Sequence, residues 1–265
     1  MRAAVLGRPV GHSLSPVLHA AAYAELGLDW TYTAVDCGEE ELPGLVAGLG
    51  PEWAGLSLTM PLKRAALAVA TAVDPLAAAV GAANTLVLRD GARVAYNTDV
   101  AGIVAALREA GVTRPASAVV LGAGGTAAAA LAALRELGVT EPVVLVRSAA
   151  RAAELRAAAD RLGVTADVRA GLPGPVPAAD VQVCTLPAGA ADQLVPTAPV
   201  VLDVVYAPWP TPFAAAAPGT VVSGLTMLLH QAAAQLTLMT GRDAPVAAMR
   251  AALEAAVRHG RDAGG

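Results

Sequence analysis

The chain has 265 residues, a formal net charge of −4 and a sequence pI near 5.5, with 18 Lys plus Arg against 22 Asp plus Glu. This length accommodates one large or two modest domains, two being the expectation, and the acidic balance without a basic tail or stripe argues against a nucleic-acid partner. The positive mean hydropathy of +0.55 comes largely from Ala, and no uninterrupted, strongly apolar run of the ~18 residues that a membrane span needs is present.

Residues 3–6 read as a short strand entering a Gly-Pro loop, without the charged, apolar and cleavage regions of a signal peptide, so a cytoplasmic protein is expected. Residues 7–16, Gly-Arg-Pro-Val-Gly-His-Ser-Leu-Ser-Pro, lead into a helix over 16–26, with Ser15 as N-cap and Pro16 at the first helical position. Capping accounts for Ser15 but not for Ser13. Two hydroxyls beside a helix N-terminus could hold a small anionic, hydroxylated molecule.

A strand over 30–35 follows, and another over 56–58 precedes a helix opening at Pro61, which places Lys63 in its first turn. Lys63 is the sole lysine of a chain that otherwise uses Arg, and an ammonium can exchange a proton where a guanidinium cannot. A helix start is the wrong end for a cation: dipole and partial burial favour the neutral amine there, and a nearby carboxylate opposes them. Asn84 and Asn97, the only asparagines, each precede Thr. Asp99, in Asn97-Thr98-Asp99, is the natural carboxylate partner of Lys63; in a purely structural role it would cap a helix over 100–110.

That helix stops at Gly111, residues 113–117 read as a linker, and 118–121 as a buried strand. Val119-Val120-Leu121-Gly122-Ala123-Gly124-Gly125-Thr126-Ala127 then sets a GxGxxA between this strand and a long Ala-rich helix. Gly122 permits the tight turn, Gly124 a close approach of backbone to a pyrophosphate, and Ala127 close helix packing, so Gly122, Ala123, Gly124, Gly125 and Thr126 are the expected dinucleotide loop. The next strand, 143–146, ends on Arg147-Ser148 instead of the acid that would bond the ribose of NAD, and residues 142–153 contain no Asp or Glu. Arg147 and Arg151, with Ser148 between them, suit a 2'-phosphate, so NADP(H) is expected.

A helix over 150–162 and strands over 181–184 and 200–204 continue the alternation; helices return from 223, with a stop at Gly241 and a last helix after Pro245. The pattern predicts an α/β protein: an N-terminal substrate domain with a mostly parallel sheet, a Rossmann-type NADP-binding domain, and C-terminal helices packing back on the first. The boundaries are set at 1–100 with 224–265 for the substrate domain and 101–223 for the cofactor domain. Cys37 and Cys184, far apart and without ligand spacing, read as free thiols, and no metal site is expected.

These segments together resemble the shikimate dehydrogenase family, in the same order and through essentially the whole chain. The matching pieces are residues 7–16, 59–63, Gly81-Ala82-Ala83-Asn84-Thr85, Asn97-Thr98-Asp99, 122–125, 203–206 with Thr211-Pro212-Phe213, and Gly224 with Gln231. The resemblance implies that Ser13, Ser15, Thr59, Asn84, Asp99 and Gln231 hold the carboxylate and hydroxyls of shikimate or 3-dehydroshikimate. It implies that Lys63 exchanges the proton of the reacting hydroxyl, oriented by Asp99, while NADPH gives hydride to the 3-keto carbon. Tyr206, on the substrate side, and Gly224, on the cofactor side, would lie near the cleft between domains.

The implied function is reversible NADPH-dependent reduction of 3-dehydroshikimate to shikimate, in aromatic amino acid biosynthesis, by a monomer or homodimer. Turnover of quinate or aminoshikimate is the alternative within the family. A non-catalytic NADP-binding paralogue is the alternative outside it, and retention of Lys63 with Asp99 argues against that. Four positions depart from the family pattern: Ser57 for the usual Asn, Val146 before Arg147, Cys184-Thr185-Leu186-Pro187 for an Asn-Thr/Ser pattern, and Ser223 for an acid before Gly224.

Overall fold

The computed structural model describes residues 1–172 and 174–262. The chain forms two compact units, one from residues 1–78, 82–98 and 229 onward, the other from 79–81 and 99–228.

Up to residue 96 the elements are β1 (Arg2–Gly7), α1 (Ser15–Glu25), β2 (Thr31–Asp36), α2 (Leu42–Ala47), β3 (Trp53–Leu58), α3 (Ala65–Val69), β4 (Ala72–Val73), α4 (Pro75–Val80), β5 (Thr85–Arg89) and β6 (Ala92–Tyr96). Their sheet has the order β2-β1-β3-β5-β6-β4, with β5 alone running against its neighbours. Alternate residues of β1 and β3, Ala4 and Leu6 with Leu56 and Leu58, bury completely or nearly so against Leu42, Leu62 and Leu86.

The β5–β6 hairpin is absent from the sequence reading. It turns on Asp90-Gly91, whose φ values of 52° and 77° are those of the tight two-residue turn that matches strand twist. A second correction concerns α1: the helix begins at Ser15, so the N-cap is Leu14, and Ser15 and Pro16 are its first two residues. A third moves Lys63 out of a helix. Residues 60–64 form a turn, and the five-residue α3 starts only at Ala65, because Leu62 donates back to Thr59 C=O (2.7 Å) and helical bonding resumes at Ala66. The dipole argument for Lys63 therefore lapses.

The second unit runs through α5 (Asp99–Glu109), β7 (Ala118–Leu121), α6 (Gly125–Glu136), β8 (Val143–Val146), α7 (Ala153–Leu162), β9 (Asp167–Ala170), β10 (Val181–Cys184), β11 (Val200–Asp203), α8 (Pro212–Ala215) and β12 (Thr220–Ser223). All six strands are parallel, in the order β12-β11-β10-β7-β8-β9. Counted from β7 this is the doubly wound order 3-2-1-4-5-6, whose direction of winding reverses between β7 and β10. Ligands bind at the strand ends beside such a reversal because the connecting loops part there.

Helices α9 (Gly224–Thr240) and α10 (Val246–Asp262) close the chain. From Leu229 they belong to the first unit, where α10 lies against α1 and Arg242 donates to Leu26 C=O (3.1 Å). Gly55 lets α9 approach β3: a Cβ there would come within 2.8 Å of both Met239 Cγ and Leu86 O. Both cysteines are buried free thiols. Among the described residues no helix is long and apolar enough to cross a membrane, and no cluster of His, Cys, Asp and Glu could hold a metal ion.

Candidate active site

In the first unit the sheet gathers polar residues at one end, where β1 and β3 finish and β5 begins. Thr59 N–H donates to Leu6 C=O (2.9 Å) and Arg8 N–H to Met60 C=O (3.0 Å), tying together the two segments that carry Ser13, Ser15, Thr59 and Lys63. Gly7 makes this approach possible, since a Cβ would overlap the Thr59 methyl. The Lys63 carbonyl accepts from Ala83 N–H (2.7 Å), which anchors the lysine backbone one residue from Asn84. Lys63 and Thr59 are half-buried.

Of the two serines, Ser13 rather than Ser15 supports the helix start. Ser13 Oγ accepts from Ser15 N–H (3.3 Å), a local turn that satisfies a backbone donor at the helix start. Ser15 is itself 5% exposed. On the next turn His19 is wholly buried, its Nδ1 3.0 Å from Ser15 O and its ring stacked on Tyr32 at 4.0 Å. Burial, opposed by the bond to Ser15, pushes its pKa down to about 4, so the ring is neutral at pH 7.

Asn84 is 2% exposed and heavily bonded. Its Oδ1 accepts from Thr98 N–H (2.8 Å) and from the Thr85 hydroxyl (3.0 Å), while its Nδ2 donates to Thr98 Oγ1 (2.9 Å) and to Gln231 Oε1 (3.1 Å). The structure thus brings Asn84 and Gln231 together. The other asparagine has a backbone duty, since Asn97 Nδ2 donates to Ala82 C=O (2.8 Å). Asp99, 3% exposed, is the first residue of α5 and belongs to the second unit, whereas Lys63 belongs to the first.

In the second unit β7 runs through Gly122 to Gly124 and into α6, at the reversal of winding. Gly122 has φ 122°, and a Cβ there would overlap Thr185 Oγ1 at the end of β10, so only glycine fits the turn. The hydroxyl of Thr185 donates to Leu121 C=O (2.8 Å) and fastens the neighbouring strand end. Gly124 is exposed, with no atom within 4 Å of where its Cβ would stand. The first bond inside α6 is Ala128 N–H to Gly124 C=O (3.1 Å), which leaves Gly125, Thr126 and Ala127 N–H ahead of it at the positive end of the dipole. A backbone cradle open at Gly124 and rich in N–H groups fits a pyrophosphate.

Arg147 and Ser148 are exposed at the end of β8, beside this cradle, and Ser148 directly precedes the 3-10 turn Ala149–Ala152. The side chain of Arg151 lies outside the described residues. Gly224 directly follows β12, and a Cβ there would overlap the Val204 carbonyl; Ser223 Oγ accepts from Leu225 N–H (3.2 Å) at the start of α9. Tyr206 is half-buried, which pushes its pKa up, on a loop that Asp203 secures. Asp203 accepts from Thr211 Oγ1 (2.6 Å) and Val205 N–H (3.1 Å), and Thr211 caps α8 by accepting from Ala214 N–H (3.0 Å). Burial raises the Asp203 pKa against these bonds, and burial likewise lifts Cys184 to about 12, which leaves that thiol inert.

Residues 5–86 match the model of the shikimate dehydrogenase substrate binding domain, and 224–254 that of the shikimate 5'-dehydrogenase C-terminal domain. A shikimate dehydrogenase (NADP(+)) of Moorella thermoacetica is 41% identical over 99% of this chain and 95% of its own length. The crystal structure of Mycobacterium tuberculosis shikimate dehydrogenase superposes with a TM-score of 0.87 at 47% identity, covering 96% of this chain and 99% of that one. That of a Thermus thermophilus shikimate 5-dehydrogenase, in complex with NADP(H) and shikimate, does so with a TM-score of 0.83 at 36% identity, covering 97% and 99%.

Proposed function

The chain belongs to the shikimate dehydrogenase family, and from that premise we propose that it catalyses the reversible NADPH-dependent reduction of 3-dehydroshikimate to shikimate. The observation that carries this reading is a similarity that runs through both units. The cofactor arm has its own physical support: the cradle at Gly122 and Gly124 suits a pyrophosphate, and Arg147 with Ser148 stands where a carboxylate would repel a 2'-phosphate.

In this reading Ser13, Ser15, Thr59, Asn84 and Gln231 bind the carboxylate and hydroxyls of the substrate, with Tyr206 on the same side. Lys63 Nζ gives a proton to the C3 oxygen during reduction and takes it back in the reverse direction, while the Asp99 carboxylate orients the ammonium. NADPH, when bound, supplies hydride to the C3 carbon. Gly122, Ala123, Gly124, Gly125 and Thr126 hold its pyrophosphate through backbone N–H groups, Arg147, Ser148 and Arg151 its 2'-phosphate, and Gly224 gives it room. The domain division of 1–100 with 224–265 against 101–223 belongs to the same proposal, as does a cytoplasmic monomer or homodimer.

A spectrophotometric assay offering shikimate and quinate against NADP and NAD in a two-by-two design tests the reading. Shikimate with NADP is expected to give the highest kcat/KM. A preference for quinate would overturn the substrate, and a preference for NAD the role of Arg147.

A further inference from the structure

Ser57, on β3, departs from the family pattern, and its surroundings show what the hydroxyl does. Tyr32 OH donates to Ser57 Oγ (2.6 Å), and Ser57 Oγ donates to Gln235 Oε1 (2.8 Å). Gln235 Nε2 then donates to Asn84 C=O and to Thr85 Oγ1 (both 3.1 Å), and Thr85 Oγ1 to Asn84 Oδ1 (3.0 Å). Asn84 Nδ2 passes the polarity on to Gln231 Oε1 (3.1 Å), while at the other end Tyr32 is stacked on His19, whose Nδ1 lies 3.0 Å from Ser15 O. Ser57, Thr85, Asn84, Gln231, Gln235 and Ser15 are each at most 7% exposed, and Tyr32 is 9% exposed.

Every hydrogen in this chain from Tyr32 onward points the same way, and that direction has consequences. An amide side chain can be turned over with little change of shape, which exchanges its donor and acceptor ends. Here turning is blocked. Thr98 N–H can only donate, so the Asn84 atom facing it is Oδ1, and Nδ2 must therefore face Gln231 Oε1. Gln235 is held by the same logic, because its Nε2 meets the Asn84 carbonyl, and an oxygen in its place would face an acceptor. Tyr32 is fixed in turn by the His19 ring stacked on it.

We propose that Tyr32, Ser57 and Gln235 are positioning residues: a buried polar chain that holds the Asn84 carbonyl and the Thr85 hydroxyl, and so keeps Asn84 and Gln231 in place for the substrate. The proposal rests on the reading that Asn84 and Gln231 bind shikimate. Its effect falls on substrate affinity, because the chain orients binding groups without touching the reacting oxygen or the cofactor loop.

The test is steady-state kinetics and shikimate titration calorimetry on Tyr32→Phe and Ser57→Ala, which both remove the Tyr32–Ser57 bond, the second removing the Ser57–Gln235 bond as well. Each is expected to raise the KM and Kd for shikimate about 10-fold, with kcat within about 2-fold and the KM for NADP unchanged. The double variant should be no worse than the poorer single one, because the bond can be lost only once. Ser57→Thr, which keeps the hydroxyl, should restore the affinity. A fall in Tm with unchanged shikimate KM in both single variants, or additive losses in the double variant, would overturn the proposal. Asn84→Ala separates the two claims. If it raises shikimate KM while Tyr32→Phe and Ser57→Ala do not, the positioning role fails and the binding reading stands; if it leaves shikimate affinity untouched, the binding reading fails and takes the proposal with it.

Discussion

The two units solve the problem of holding a polar ligand in opposite ways. In the first, side chains that are far apart in sequence, such as Ser57 and Gln235, are buried together and bonded end to end, so affinity depends on many hydroxyls and amides each facing the right way. In the second, the ligand cradle is backbone: a left-handed glycine, a helix start and a parallel sheet that reverses its winding beside them. A backbone cradle tolerates side-chain change wherever the change points away from it. A side-chain network does not, and this contrast predicts where substitutions will be felt.

The largest effect is expected at Lys63, the group to which the proposal gives the proton transfer. Lys63→Ala should lose roughly 10²-fold or more in kcat with little change in shikimate KM, and Lys63→Arg should not rescue it, because a guanidinium does not exchange the proton. A substantially active Lys63→Arg enzyme would reduce Lys63 to an electrostatic anchor.

Acid should separate the units. His19 has its pKa lowered from 6.5 to about 4, so between those values the unfolded chain binds more protons than the folded one and stability is lost as pH falls. The full loss is about 3 kcal/mol, developed between pH 6.5 and pH 4. Asp203 has the opposite sign: its pKa is raised above 3.8, so protonation as pH falls favours the folded state. Hydrogen exchange corrected for intrinsic rates should therefore show β1 and β3 losing protection on acidification before β7 and β10 do. Simultaneous loss would mean that His19 does not govern the acid response.

Two smaller effects sharpen the backbone half of the contrast. Gly124→Val adds a Cβ that would meet no atom beyond its chain neighbours within 4 Å, so Tm should hold while the KM for NADP rises about 20-fold from overlap with the ligand. Arg147→Ala should reduce the preference for NADP over NAD about 10-fold, read as the ratio of kcat/KM values. A variant whose NADP preference is unchanged would remove Arg147 from the 2'-phosphate site.

The same contrast governs how much can be read in the sequence. The strands 118–121, 143–146 and 181–184 stand where the apolar runs put them, and the glycine turn stands between strand and helix, because those features are local. The edge strands β9 and β12 are silent in the sequence, since each has only four residues and no continuous apolar run, and β9 is largely exposed. The β5–β6 hairpin has a legible signal in Asp90-Gly91, but the αβ alternation around it hides that signal. In the first unit the site is legible as residue types only. Lys63, Asn84 and Asp99 stand out by rarity or by motif, but Tyr32 and Gln235 meet Ser57 across 25 and 178 residues, and no spacing rule reaches that far. Ser13 and Ser15 both stand out in the sequence, yet only the fold shows that Ser13 supports the helix start and that Ser15 is buried with its carbonyl against His19.

The division of labour between the units is tested most directly by measuring both KM values on one variant from each, Asn84→Ala and Gly124→Val. The account predicts a clean split, with Asn84→Ala raising the KM for shikimate alone and Gly124→Val raising the KM for NADP alone. A rise in the NADP value for Asn84→Ala, or in the shikimate value for Gly124→Val, would contradict it.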